Sequence, residues 1–109
     1  MHPEIEALAS LLDEASALLR THSESHWADW LDTDARRIRG QDFYGIEHLL
    51  SAYGGMGSLN DVVLAGAQVA ELRREGSTLS RKNEEFDALR TRIYSLAKRL
   101  KREENQRDT

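Results

Sequence analysis

The 109-residue sequence contains no cysteine. That excludes a disulfide framework, a thiolate nucleophile and any zinc site built on thiolates. The single proline, Pro3, stands at the extreme N-terminus, where a helix tolerates it, so no later proline forces a helix to break. Apolar runs are only a few residues long, too short to span a membrane. The first residues, Met1-His2-Pro3-Glu4-Ile5-Glu6, have neither the basic start nor the apolar run of a secretory signal, and the expected location is the cytoplasm. Nowhere does an apolar–polar alternation suggest a strand, and there is no internal repeat. Aromatic residues make up only 6% of the chain, so the close pair Trp27 and Trp30 stands out.

What is present is charge and helical periodicity. Charged residues reach 31% and hydrophobic residues 39%, the balance of a charge-rich helical protein, and the length fits one domain over residues 1–109. The net charge of −4 is unevenly spread. Residues 1–61 carry 11 acidic and 4 basic side chains, or −7, whereas residues 62–109 carry 8 acidic and 11 basic, or +3. An acidic first half argues against nucleic acid as a partner and suits a basic protein surface.

The spacing predicts a first helix over 3–21, where Ile5, Leu8, Leu12, Ala15 and Leu19 form a stripe that Leu11 and Leu18 widen. A polar connection follows, in which Ser23 or Ser25 is expected to cap a second helix over 26–39. Trp27, Leu31, Ala35 and Ile38 give that helix its apolar line, with Asp29, Asp32 and Asp34 off it, and Gly40 is its expected stop. A third helix is predicted over 42–53, capped by Asp42, with Gly45 marking a close approach of a neighbouring helix. Gly54, Gly55 and Gly57 cannot sit inside a stable helix, each costing about 1 kcal/mol there relative to alanine. They are expected to form the hinge of the molecule. Ser58, with Asp61 three residues on, is expected to start a fourth helix that carries Val62, Val63, Gly66, Val69 and Leu72 and ends near Gly76. The last helix is predicted over 79–104, with residues 102–109 as a frayed tail. The expected fold is an all-α bundle of four to five helices with a long C-terminal helix.

No catalytic residue and no metal ligand set emerges, and no cofactor is expected. His22 and His26 are four apart, but Ser23 and Ser25 interrupt the helix between them and no third ligand is evident, so they read as a polar turn. His48 reads as a partly buried, hydrogen-bonded histidine. The glycine loop lacks the lysine and the preceding strand of a phosphate loop, which leaves anion or small-ligand binding by Gly54–Asp61 as a subordinate alternative. Trp30, beside Asp29, Asp32 and Asp34, has the character of an interface anchor. Those four residues, with Met56, Asn60 and Asp61 of the loop, form the expected partner-binding set. On the last helix Phe86, Leu89, Ile93, Leu96 and Leu100 repeat as 3, 4, 3, 4, a seam that suits a homodimer.

The stretch Tyr53-Gly54-Gly55-Met56-Gly57-Ser58-Leu59-Asn60-Asp61 resembles a family of small uncharacterised bacterial proteins that share a Gly-Gly-Met-Gly-Ser-x-Asn-Asp motif between helices. The likeness is strong over these residues and extends by helix layout over about residues 5–75, leaving out the last helix. It brings no assigned chemistry. Small acidic proteins of this kind look like the immunity partners of secreted bacterial toxins. The resemblance therefore implies a non-enzymatic protein that neutralises a toxin by covering a basic active-site surface; the seam of residues 86–100 gives a homodimeric adaptor as the alternative role.

Overall fold

The apolar stripe of the N-terminal segment needs a covering surface, and the next two helices and the last one supply it. In the computed structural model, residues 3–54, 57–64 and 76–107 are described, with the side chains of the last stretch described over 81–104. The elements are α1 (Pro3–Thr21), α2 (Ser25–Arg39), α3 (Tyr44–Ser51), a single 3-10 turn (Leu59–Asp61) and a long C-terminal helix, α4 (Gly76–Arg107). The fold is all-α, and the described residues include no strand. Helix α1 packs against α2 and α4, and α3 packs against the same two, which closes a ring of four helices.

Helix α1 buries Ile5, Leu8, Ala9, Leu11, Leu12, Ala15, Leu18 and Leu19, the predicted stripe with Ala9 added. Burial of one leucine stabilises by about 1.5–3 kcal/mol, whereas an exposed ion pair contributes about 0–1 kcal/mol. The stripe therefore holds α1 in place, and the ion pairs set its register against α2. Arg20 reaches Asp29 and Asp32 at the hairpin end, and Arg39 reaches Asp13 and Glu6 at the open end. Between them the Ser16 hydroxyl donates to the Ala28 carbonyl across 3.3 Å.

Both short connections close in the same way. Ser23 has φ of 63°, and the Glu24 N–H bonds back to the Leu19 carbonyl at 2.9 Å. After α2, Gln41 has φ of 63°, and the Asp42 N–H bonds back to the Arg37 carbonyl at 2.8 Å. Each is a left-handed helix end that satisfies the last carbonyls. The expected serine cap of α2 is not formed, because Ser23 is the left-handed residue and Glu24 takes the cap position without a side-chain bond. Gly40 likewise stays near helical geometry, and Gln41 makes the reversal. Asp42 does act at the head of α3: its carboxylate accepts the Tyr44 N–H at 3.1 Å.

Helix α3 lies close against α2 at Gly45. A Cβ there would stand 2.9 Å from Arg37 Cβ and 3.3 Å from Ile38 Cγ1. This is the close helix approach that the glycine predicts.

The segment after the glycines departs from expectation. Ser58 caps, accepting the Asn60 N–H at 3.3 Å, and the Asp61 carboxylate reaches back to the Gly57 N–H at 2.7 Å. Gly57 makes this possible with φ of +76°, which strongly favours glycine. The turn nevertheless stops after one cycle, and Val62 is extended with ψ of 126°. Adjacent β-branched Val62 and Val63 are poor helix formers. Helix α4 instead supplies the bonds that a helix would have made. Arg90 donates to the carbonyls of Leu59, Asn60 and Val62 at 2.8, 3.0 and 2.9 Å, and the Asn83 amide brackets Leu64, accepting its N–H at 2.7 Å and donating to its carbonyl at 3.1 Å. The predicted fourth helix is thus absent over 58–64. Its remainder, with Gly66, Val69 and Leu72, lies outside the described residues. Gly76, its expected end, opens α4 instead.

Helix α4 continues to Arg107, past the predicted end at 104. Its heptad seam faces the chain's own core. Phe86, Leu89, Ile93 and Leu100 are buried, Ala97 joins them, and Leu96 is partly covered. The seam is therefore no free dimer surface, because α1 and α3 already occupy it.

Candidate functional site

Aromatic rings gather on the α2–α3 side of the bundle. His26, Trp27 and Trp30 come from α2 and His48 from α3. Trp27 lies 4.9 Å from His26 and 5.3 Å from Trp30, ring centre to ring centre. Trp30 stacks on His48 with centres 4.1 Å apart and planes 14° from parallel. Trp27, Trp30 and His48 are half-buried and His26 is exposed, so the group is anchored in the core and reaches the surface.

Beneath it lies Asp34, whose side chain is 0% exposed. One oxygen, Oδ1, is 2.6 Å from His48 Nδ1, while the other, Oδ2, and the indole Nε1 of Trp30 have no hydrogen-bond partner. Burial pushes the Asp34 carboxyl up to about 6, with the facing His48, the Arg37 charge and the nearby Trp30 indole pulling the other way. The close approach at Gly45 makes the pair possible. Gly45 and His48 are three apart and share a face of α3, and the glycine lets that face come down on the turn of α2 that carries Asp34. Chemically, an ionised carboxylate only accepts, so it selects the His48 tautomer with hydrogen on Nδ1 and leaves Nε2 as the second ring nitrogen.

The structure divides the predicted partner-binding set. Asp34 cannot meet a partner, because it is enclosed between α2 and α3. Its spacing shows why: it is three residues after Leu31 and four before Ile38, within the buried stripe of α2. Asp29 and Asp32 are on the opposite edge of the helix, paired with Arg20 of α1, with side chains 72% and 40% exposed. Partial desolvation pushes the Asp32 carboxyl up, and the Ser16 hydroxyl and the Arg20 guanidinium together outweigh it and hold it below its ordinary range. Trp30 keeps the partial exposure of an anchor. Asn60 and Asp61 serve the loop, Asn60 by donating to the Tyr53 carbonyl at 3.2 Å and Asp61 by holding Gly57. Met56 lies outside the described residues.

Among its described residues the loop offers an anion little. The N–H groups of Gly57, Leu59, Asn60 and Asp61 are all engaged within the chain. Arg90, over the Phe86 ring at 4.6 Å and paired with Asp87 through Nη2, gives Nη1 to loop carbonyls, and burial lowers its pKa. Among the described residues no group of three or more His, Asp or Glu side chains is placed to hold a metal ion, and no helix is long and apolar enough to cross a membrane.

The Asp34–His48 pairing was not read from the sequence. Two signals were available, an aspartate on an apolar line and a histidine three residues after a glycine already marked for close packing.

Comparison with curated proteins and with solved structures gives no match. Residues 20–71, slightly less than half of the chain, match the family model of a domain of unknown function, DUF6966. The matched stretch contains α2, α3 and the 3-10 turn, and so the whole of the Trp30–His48–Asp34 group.

Proposed function

We propose that this chain is a non-enzymatic protein-binding module whose contact surface is centred on Trp27, Trp30 and His48. The observation that carries the proposal is the half-exposed Trp30–His48 stack, fixed from below by a fully buried carboxylate. Rigid, partly buried aromatic side chains lose little freedom on binding and are the usual anchors of protein interfaces. An exposed carboxylate, Glu47, stands beside His48 in the chain. Together with the −7 charge of residues 1–61 it favours a partner with a basic surface, whose capture it would accelerate. In its most specific form the proposal is an immunity-type role in which the surface occludes a cognate bacterial toxin.

The test is co-purification from the source organism with mass spectrometry, in parallel for the wild type, Trp30→Ala, Glu47→Lys, and Lys98→Glu on α4 as a distant control. The expected result is a basic partner retained by the wild type and the control and lost from the first two variants. A partner retained equally by all four, or none retained by the wild type, would refute the proposal.

A further inference from the structure

The Trp30–His48 surface has a feature beyond shape: the exposed ring edge is chemically coupled to a buried acid. We propose that Asp34 and His48 act as one proton-operated switch, in which uptake of a single proton turns the outward nitrogen of His48 from a hydrogen-bond acceptor into a donor.

The geometry leads there directly. Asp34 Oδ1 and His48 Nδ1 are 2.6 Å apart, and one hydrogen lies between them in every protonation state that keeps the contact. When the pair carries that hydrogen alone, the carboxylate is ionised, Nδ1 holds the hydrogen, and Nε2 presents a lone pair. When a second proton enters, it has two placements. Either the ring becomes imidazolium beside a carboxylate, or the carboxyl group donates to Nδ1 of a neutral ring. Nε2 carries a hydrogen in both. The outward nitrogen therefore reports the proton count of the pair, wherever the proton resides. The side chain of His48 is 27% exposed while that of Asp34 is 0% exposed, so the change is displayed outside and its counterpart is hidden.

The surroundings favour a change in the weakly acidic to neutral range. The groups that bear on Asp34 are His48 from α3, Arg37 from its own helix and the Trp30 indole. From the other side, the buried residues of α1 are apolar apart from Ser16, and the buried described residues of α4 are all apolar. Further titratable groups lie around the stack: His26, 6.2 Å from the Trp30 ring, and Glu47, next to His48 in the chain, which shares a surface pocket with Lys101 and Glu104 of α4. Asp34 Oδ2 has no hydrogen-bond partner and the side chain is enclosed, so the carboxylate is incompletely solvated when charged, which makes proton uptake easier.

The consequence for binding rests on the partner-binding role proposed above: a partner group that accepts from His48 at weakly acidic pH meets a lone pair at higher pH. The switch itself is testable without a partner. Nitrogen NMR of the histidine rings, with His48 assigned by its loss in His48→Gln and followed from about pH 5 to 8, should show Nε2 hydrogen-bearing at the acid end and Nδ1 hydrogen-bearing at the other. The Asp34 side-chain carbon should titrate with the same midpoint. In Asp34→Asn the amide can donate to Nδ1 or accept from it, so the preference for hydrogen on Nδ1 at the upper end should be lost. An Nε2 that bears hydrogen throughout, separate midpoints for the two residues, or an Asp34→Asn ring that keeps hydrogen on Nδ1 as the wild type does would overturn the switch. The first two readouts are titrations of the wild-type protein, and His48→Gln serves only to assign the His48 ring. Failure of the co-purification test would remove the partner-binding role and leave this titration unaffected.

Discussion

Replacing Asp34 by asparagine in a His48→Gln background, where no imidazole shares its proton, isolates the energetic effect of a charge enclosed between α2 and α3. Burial raises its carboxyl from 3.8 in the unfolded chain to about 6 in the folded one. Between those values the folded state holds a proton that the unfolded state has lost. Stability therefore falls as pH rises through this window and is greatest below it, the reverse of the usual salt-bridged aspartate. The gap of about 2 pH units, at 1.36 kcal/mol each, corresponds to about 3 kcal/mol between the two ends. Asparagine cannot ionise, so the substitution removes this slope. It also places an amide where Oδ2 has no partner, an offset of about 1–3 kcal/mol that does not vary with pH. The assay is urea denaturation of both proteins at half-unit steps over the acid range. Carboxylates elsewhere, including Asp32 with its oppositely lowered pKa, contribute equally to both curves and cancel in the difference. The stability of His48→Gln minus that of the Asp34→Asn/His48→Gln double variant should decrease by about 3 kcal/mol on going from pH 4 to pH 7. A flat difference, or one that increases with pH, would show that the buried carboxylate is not held as described.

Gly45→Ala should destabilise despite the better helix propensity of alanine. The gain is about 1 kcal/mol, while forcing Cβ within 2.9 Å of Arg37 Cβ brings an overpacking cost of about 1–3 kcal/mol; a raised melting temperature would contradict the close crossing. Arg90→Met should cost about 3 kcal/mol, since the two hydrogens of Nη1, shared among three carbonyls, are charged donors at about 1.5 kcal/mol each. Limited proteolysis should then cut within residues 57–64, and resistance equal to the wild type would show that Arg90 does not hold that segment. Ile93→Ala should cost about 2–5 kcal/mol, because its side chain is fully buried. Its unfolding midpoint should not vary with protein concentration, whereas a dimer seam would make it do so.

The periodicity of α1 and α4 was legible because each stripe is long and faces one core. Ile5 through Leu19 and Phe86 through Leu100 are buried much as their spacing implies. What the spacing left open was the surface that covers a stripe, and the α4 seam, which equally suited a second copy, is covered by α1 and α3. Local chemistry was legible one turn at a time. Ser58 and Asp61 do cap, yet a cap starts a helix without ensuring its continuation. Whether Val62 and Val63 continue it depends on Arg90 and Asn83, 28 and 19 residues away from the groups they hold. The candidate site shows the same division. That Asp34 is buried follows from its place between Leu31 and Ile38, since a helix cannot turn one residue of its stripe outward. That it meets His48 requires knowing which helix crosses at Gly45. A charged residue on an apolar line thus signals a buried partner before the partner can be named. The partner is best sought among polar residues one helical turn from a glycine, where two backbones approach closely enough for short side chains to meet.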